Sequence, residues 1–351
     1  MRAWEIRGAF GLDHLTLGER PDPEPGPGQV VVRVRAASLN YRDLLMIQGL
    51  YNPKQALPLI PCSDGAGDVV SVGPGVSRVK PGDRVCGAFC QKWVSGTPTR
   101  EKLRATLGGP LDGTLAEQVL LSEEGVVATP PHLADEEAAT LPCAALTAWS
   151  ALITEGRLAP GETVLVQGTG GVSLFALQFA RLAGARVIVT SGSDAKLARA
   201  REMGAWEGIN YRETPSWGAR VKELTGGLGV DHVVEVGGAG TLKQSLAAVR
   251  FGGTVSLIGN LAGITTEIAL TSIFMQRVKV QGILVGDRES FEAMSRAVAA
   301  AALRPAVDRV FPFEQAKAAL DLMAQGGHFG KIVVGQGCSS APRDIAGALD
   351  S

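Results

Sequence analysis

The spacing of apolar positions changes along the chain. In the N-terminal part, residues 29–37 (QVVVRVRAA) alternate apolar and charged side chains late in the run, the period-2 pattern of a half-buried strand. Proline and glycine at residues 21–28 punctuate its start. A second strand is predicted over residues 67–73, and the turn Pro81-Gly82-Asp83 leads into a third at Arg84-Val85. The middle of the chain reads differently. Short, continuously apolar strands are predicted at 163–167 (TVLVQ), 186–190 (RVIVT), 231–236, 254–258 and 278–284, with helix-spaced apolar residues at 172–182 and 195–203. Buried strands alternating with helices specify βαβ units and a parallel sheet. The C-terminal part adds helices at 290–302 and 313–325 and a closing strand at 331–334; the polar segment after Gly335 reads as a mobile tail.

Composition narrows the function classes. The 351 residues are 45% hydrophobic and 20% charged, enough for two domains of ordinary size. A net charge of −1 offers no basic excess for phosphate neutralisation, so a nucleic-acid partner is not expected. No apolar run reaches the roughly 20 residues that span a bilayer, so no membrane association is expected. The opening Met1-Arg2-Ala3-Trp4-Glu5 enters a strand-like segment without a signal-peptide core. Five cysteines, an odd number without framework spacing, fit a reduced, cytoplasmic protein. The 45 glycines indicate tight turns and close backbone approaches in so hydrophobic a chain.

One of those turns carries candidate chemistry. Gln167-Gly168-Thr169-Gly170-Gly171-Val172-Ser173 lies between the first strand and first helix of the βαβ region. Glycines there allow a sharp turn and close approach of a pyrophosphate, and the helix N-terminus supplies N–H groups and a positive dipole end. Gly168, Thr169, Gly170, Gly171 and Val172 are therefore the candidate dinucleotide cradle. Ser173 departs from the fingerprint, which has a third glycine at this point. An NAD site needs a carboxylate about 20 residues past the first glycine, for the ribose 2′-OH. That stretch is Thr190-Ser191-Gly192-Ser193, and the acid is missing. Asp194 reads as a first-turn helix residue. Ser191 and Lys196 suit a 2′-phosphate, which points to NADP(H); a solvated helix lysine is the other reading of Lys196.

Several dispersed motifs resemble the medium-chain dehydrogenase/reductase superfamily over nearly the whole chain: Pro-Gly-x-Gly-Gln-Val before the early strand, Gly65-Ala66-Gly67, Lys80-Pro81-Gly82-Asp83-Arg84-Val85, Leu146-Thr147-Ala148-Trp149, the glycine turn, and Gly330-Lys331-Ile332-Val333-Val334. The resemblance implies an α/β chain in which a Rossmann doubly wound parallel sheet interrupts a GroES-like, mostly-β catalytic domain, with the active site in the cleft between them. The expected division is 1–143 and 288–351 for the catalytic domain and 144–287 for the NADP-binding domain. The resemblance also places Thr147 and Lys331 at the cofactor, and implies a homodimer paired through the edge strand at 278–284. Such an exposed apolar edge is a liability unless paired.

Zinc alcohol dehydrogenases of this superfamily hold catalytic zinc with two cysteines and a histidine. Those positions fall here at Asn40, Ser63 and Cys143, and only the last keeps a ligand-type side chain. The structural zinc lobe is represented only by Cys86 and Cys90, and His14, His132, His232 and His328 form no ligand spacing. No zinc is expected. Asn40-Tyr41-Arg42-Asp43 and Gly49-Leu50-Tyr51 are similar to the zinc-independent, quinone oxidoreductase-like and enoyl-reductase-like branch. That branch implies NADPH and a tyrosine near the 2′-phosphate, a position that Tyr211 fills.

Without a metal, hydrogen-bond donors must polarise a hydride acceptor. Asn40 and Tyr41 are the candidates by position, with Tyr51 behind them. Other roles stay open: Asn40 as a bridge between cofactor and loop backbone, Tyr41 and Tyr51 as pocket lining, Asp43 as the group that orients Arg42 or a backbone N–H, Cys143 as a small buried hydrophobe. The expected activity is hydride transfer between NADPH and a small-molecule quinone, activated alkene, or carbonyl/alcohol pair. The alternative is an NADPH-binding sensor without turnover. Residues 89–103 and 261–265 are the loops expected to select the substrate.

Overall fold

A computed structural model describes residues 1–337 and 343–344. The chain forms two compact units, Met1–Leu146 with Gly286 onward, and Thr147–Val285. The expected boundaries were 143/144 and 287/288. The first division falls inside a continuous helical run made of Leu141–Ala145, Leu146–Trp149 and Ser150–Thr154, so no turn residue marks it in the sequence.

In the first unit the organising element is the ten-residue strand Gln29–Ser38, whose valines are buried while Arg33 and Arg35 are exposed. It pairs antiparallel with Asp64–Val72 and Gln118–Ser122 and, at its C-terminal end, with Lys331–Gly335. Ser38 thus has both Asp64 and Val333 as register partners. Three stretches far apart in sequence meet at one place, and Asn40 and Lys331 lie there. Close crossing of the strands requires glycine at position 67, where a Cβ would stand 1.9 Å from the Arg33 carbonyl oxygen. Beneath this end, Leu39, Leu44, Ile47, Leu59, Phe313 and Ile332 form a common apolar core.

The second unit is a six-stranded parallel sheet in the order Glu207–Asn210, Arg186–Ser191, Thr163–Gln167, Val230–Glu235, Val249–Leu257, Lys279–Gly282. The strand order reverses between Thr163–Gln167 and Val230–Glu235, as in a Rossmann sheet. The mixed α/β fold, a GroES-like unit plus a Rossmann sheet, is as the motifs imply. Strand Lys279–Gly282 occupies the sheet edge. Strand Val249–Leu257 starts earlier than residue 254, because Gly252-Gly253 hid its first half from the apolar pattern. Part of the expected mobile tail is structured: Arg343–Asp344 pairs antiparallel with Val307–Pro312. Residues 338–342 and 345–351 of that tail lie outside the described residues. No helix among the described residues is long and apolar enough to cross a membrane.

Candidate active site

The glycine turn of the second unit grows out of a strand buried along its whole length. Gly168 takes φ +70°, a left-handed conformation that glycine adopts without steric cost. Gly170 caps the twelve-residue helix Gly171–Leu182. A Cβ added at Gly168 or Gly170 would meet nothing within 4 Å, so these glycines present open backbone where a phosphate can approach. The first N–H groups of the helix have no partner within it. Ser173, the departure from the glycine fingerprint, is buried, and its hydroxyl donates to the Gln167 carbonyl at 2.6 Å. The serine closes the turn by a hydrogen bond where a third glycine would give close packing.

The Gln167 side chain ties this turn to the strand across the switch point. Its Nε2 donates to Glu235 Oε2 at 2.8 Å and to Ser245 Oγ at 2.6 Å. Its Oε1 accepts from the Val236 and Gly237 N–H groups, both at 3.3 Å. The fully buried Glu235 also accepts from the N–H groups of Gly237 and Gly238 at 2.8 and 2.9 Å and from Thr241 Oγ1 at 2.5 Å. Sequence reading missed Glu235. Its signal was a carboxylate at the end of the apolar run Asp231-His232-Val233-Val234-Glu235, a position that would be costly unless fully hydrogen-bonded.

At the end of the neighbouring strand, Ser191 is buried and its carbonyl accepts from the Tyr211 N–H at 3.1 Å. A Cβ at Gly192 would stand 2.8 Å from the Tyr211 hydroxyl and 2.9 Å from Arg212 Nε. Ser191, Tyr211 and Arg212 therefore converge on this glycine. Arg212 was also missed, although it follows Tyr211 directly; its guanidinium forms no hydrogen bond or ion pair among the described residues. Asp194 starts the helix Asp194–Glu202 and accepts from Asn210 Nδ2 at 3.0 Å, and the backbone N–H of Lys196 donates to the Ser193 hydroxyl at 3.4 Å. Thr147 is buried in the turn Leu146–Trp149.

In the first unit, Asn40 lies between strand Gln29–Ser38 and helix Tyr41–Ile47. Its N–H donates to Asp43 Oδ2 at 2.8 Å. Its side-chain Oδ1 accepts from Lys331 Nζ at 2.5 Å, and its Nδ2 faces Ser63 Oγ at 3.4 Å. Ser63 Oγ donates to Asp64 Oδ1 at 2.8 Å, and Asp64 Oδ2 accepts from the Cys143 N–H at 3.1 Å. Lys331 Nζ also donates to the Leu39 carbonyl at 2.6 Å. Burial pushes the Asp64 carboxyl up to about 6, against the Lys331 ammonium and hydrogen bonds from Asn40 and Ser63. Burial likewise raises Asp43, with Arg42 opposing it, and raises the Cys143 thiol.

The structure thus joins Asn40 and Lys331 by a hydrogen bond, and the tyrosines have other surroundings. Arg42 donates to the carbonyls of Leu107 and Gly109 at 2.9 and 2.8 Å, and its cation lies 5.0 Å from the Tyr51 ring and 4.8 Å from the Phe89 ring. Tyr51 is engaged as an aromatic partner of Arg42. Tyr41 starts its helix and is 41% exposed. A separate cavity of about 1070 Å³, lined by Arg20, Ile60, Arg104, Leu111 and Leu120 among others, includes none of the Asn40 cluster.

These donors do not fit a catalytic zinc. Asn40 and Ser63 are committed to Lys331, Asp64 and each other, and burial disfavours the thiolate that Cys143 would need to bind metal. No group of three or more His, Cys, Asp or Glu side chains among the described residues could hold a metal ion.

Comparison with known proteins adds to this geometry. The alcohol dehydrogenase GroES-like domain family matches residues 26–131, and the zinc-binding dehydrogenase family matches residues 171–300. A zinc-type alcohol dehydrogenase-like protein of Schizosaccharomyces pombe, C1773.06c, is 44% identical over 92% of this chain and 96% of its own. The solved structure of a putative alcohol dehydrogenase from Sinorhizobium meliloti 1021 superposes with a TM-score of 0.89 at 43% identity, covering 95% of this chain and 98% of that one. A solved NAD-dependent alcohol dehydrogenase superposes with a TM-score of 0.88 at 36% identity, covering 95% and 99%.

Proposed function

The chain belongs to the medium-chain dehydrogenase/reductase superfamily, and from that premise we propose that it is a zinc-independent, NADP(H)-dependent oxidoreductase. Its alcohol dehydrogenase-like relatives support an oxidoreductase acting with a nicotinamide cofactor on a small molecule. The observation that carries the choice of NADP(H) is the strand end at Ser191-Gly192, which holds no acid and has the Tyr211 hydroxyl and the Arg212 guanidinium against Gly192. One solved relative is NAD-dependent, but in this chain a ribose 2′-OH would lack its carboxylate and a 2′-phosphate would find a cation.

NADPH would be held by the turn Gly168 to Val172, with Ser191, Lys196, Tyr211 and Arg212 at the 2′-phosphate, and Thr147 completing the set. When bound, NADPH supplies the hydride. The acceptor is a carbonyl, an activated alkene or a quinone. With a hydride and a proton, a carbonyl becomes an alcohol and a conjugated alkene becomes its saturated counterpart; a reduced quinone takes its protons from water. Asn40 donates a hydrogen bond to the acceptor oxygen, the role that a metal has in the zinc enzymes. Incubation with NADPH and a panel of quinones, enones and aldehydes is expected to show turnover. Tight NADPH binding without turnover on the whole panel would instead support a redox-silent NADPH sensor. Metal analysis is expected to find well under one zinc per chain, and stoichiometric zinc would overturn the metal-free reading.

The active form in this proposal is a homodimer. Strand Lys279–Gly282 ends the sheet with no neighbour on its outer side among the described residues, and Leu270, Phe274, Met275 and Leu284, which flank it in sequence, are exposed. Light scattering is expected to give twice the 36.5 kDa chain mass. A monomer at micromolar concentration, with full activity, would contradict this. A cytoplasmic address rests on the four described cysteines, all of them free thiols.

A further inference from the structure

We propose that Lys331, Ser63 and Asp64 are positioning residues that hold the Asn40 side chain in one orientation, as a hydrogen-bond donor, and so restrict the site to substrates that present an acceptor oxygen. The inference rests on the proposed role of Asn40 and adds the device that sets its polarity. A carboxamide can present either its oxygen or its nitrogen, and its two faces differ only in what they bond. Here both ends of the choice are fixed. Lys331 Nζ is a donor without lone pairs, so the amide atom 2.5 Å from it must be Oδ1. Ser63 has a single proton and gives it to Asp64 Oδ1, so toward Asn40 it can only accept. The amide nitrogen then faces only acceptors, Ser63 Oγ and the Asp64 carboxylate beyond it, and a substrate oxygen that enters beside them takes one of its N–H groups. An alcohol or carbonyl oxygen can accept it; an amine or ammonium group at that point would meet donor against donor.

The chain has one link that protonation reverses. Asp64 Oδ2 is bound to the Cys143 N–H and must stay an acceptor, so an added proton goes to Oδ1, which faces Ser63. Ser63 Oγ then accepts a hydrogen bond from the protonated Asp64, and its own proton is turned toward the Asn40 N–H. The other charged or titratable groups around Asp64 are the Lys331 ammonium, the Asp43 carboxyl with Arg42 beside it, and the thiols of Cys62, Cys86 and Cys143. Burial raises all three thiols, Cys86 to about 12, and it raises the Asp64 carboxyl to about 6, inside the range pH 5–8.

The sign separates this effect from acid unfolding. Asp64 titrates near 3.8 when exposed in the unfolded chain and near 6 in the fold. Its buried carboxylate therefore opposes folding above pH 6, and that cost fades as pH falls from 6 toward 3.8. Activity lost through Asp64 thus accompanies a gain in stability from the same group. Glu117, Glu123 and Glu314 are held below their ordinary 4.5, so the stability they supply is lost only at more acid pH.

The test is a kcat profile from pH 8 to 5 with saturating NADPH and an acceptor that the wild type turns over at pH 8, together with the 15N resonance of the Asn40 side-chain amide in the uncomplexed protein. The wild type is expected to lose kcat with a midpoint near 6, and the amide resonance to shift with the same midpoint. Asp64→Asn mimics the protonated acid. It is expected to be at least about tenfold slower at pH 8, with a flat profile and no amide titration. Lys331→Met is expected to lower kcat without removing the limb at 6. A limb that persists in Asp64→Asn, or an amide resonance that does not move in the wild type, would overturn the inference. Absence of wild-type turnover at pH 8 would instead count against the proposed function itself, and the amide titration would still be readable.

Discussion

Replacing Asn40 with alanine is expected to lower kcat by about 10²–10³-fold at pH 8, the usual cost of removing one preorganised donor from a developing oxyanion. NADPH affinity is expected to stay within about twofold, because the loss is of an interaction made in the transition state rather than with the cofactor. Asn40 is well placed for this role. Its N–H is fixed by Asp43, its Oδ1 by Lys331, and the residue is neither fully buried nor free to rotate. Alanine also strips Lys331 Nζ of one of its two acceptors, so thermal unfolding should accompany the kinetics. Asn40→Asp provides a second measure. It keeps the volume and the partner for Lys331 but presents carboxylate oxygens to the acceptor, so it should fold and still be slow. The alternative role, a bridge between cofactor and loop backbone, predicts the opposite division: a weaker NADPH Kd with kcat retained.

Ser191→Asp is expected to weaken NADPH binding by at least about a hundredfold, ~3 kcal/mol, and to tighten NADH binding. The carboxylate would stand at the end of strand Arg186–Ser191, beside the Tyr211 hydroxyl and the Arg212 guanidinium that crowd Gly192. There it repels a 2′-phosphate and offers a ribose 2′-OH the acceptor it lacks in the wild type. Arg212 would then pair with the new acid. Kd values for both cofactors, measured by fluorescence titration, check this. An unchanged NADPH-to-NADH ratio would place the 2′-phosphate elsewhere.

Much of the architecture was legible because each signal was local. The apolar strand 163–167, the glycine turn and the following helix lie within one stretch of chain, and the absent acid at Ser191 is read from a single position. What escaped depends on contacts between distant segments. Glu235 looks like an ordinary strand-end acid until Gln167, Thr241 and Ser245 are seen around it. Lys331 is recognisable as part of a closing motif, yet its link to Asn40 exists only because strand Lys331–Gly335 pairs with the end of Gln29–Ser38. Ser63 and Asp64 read as a lost metal ligand and its neighbour; the fold makes them the far end of the same polar chain. The stacking of Arg42 on the Tyr51 ring is likewise a contact that no residue spacing announces. The domain boundary near residue 146 was displaced because helix continues across it and no glycine or proline punctuates the change.

Metal-free hydride transfer with NADP(H) is tested most directly by kcat/KM for NADPH and for NADH with one acceptor, each measured before and after exhaustive treatment with a zinc chelator. At least a tenfold preference for NADPH is expected, about 1.4 kcal/mol or more, with identical rates with and without chelator. A preference for NADH, or activity that disappears on chelation and returns with zinc, would contradict it.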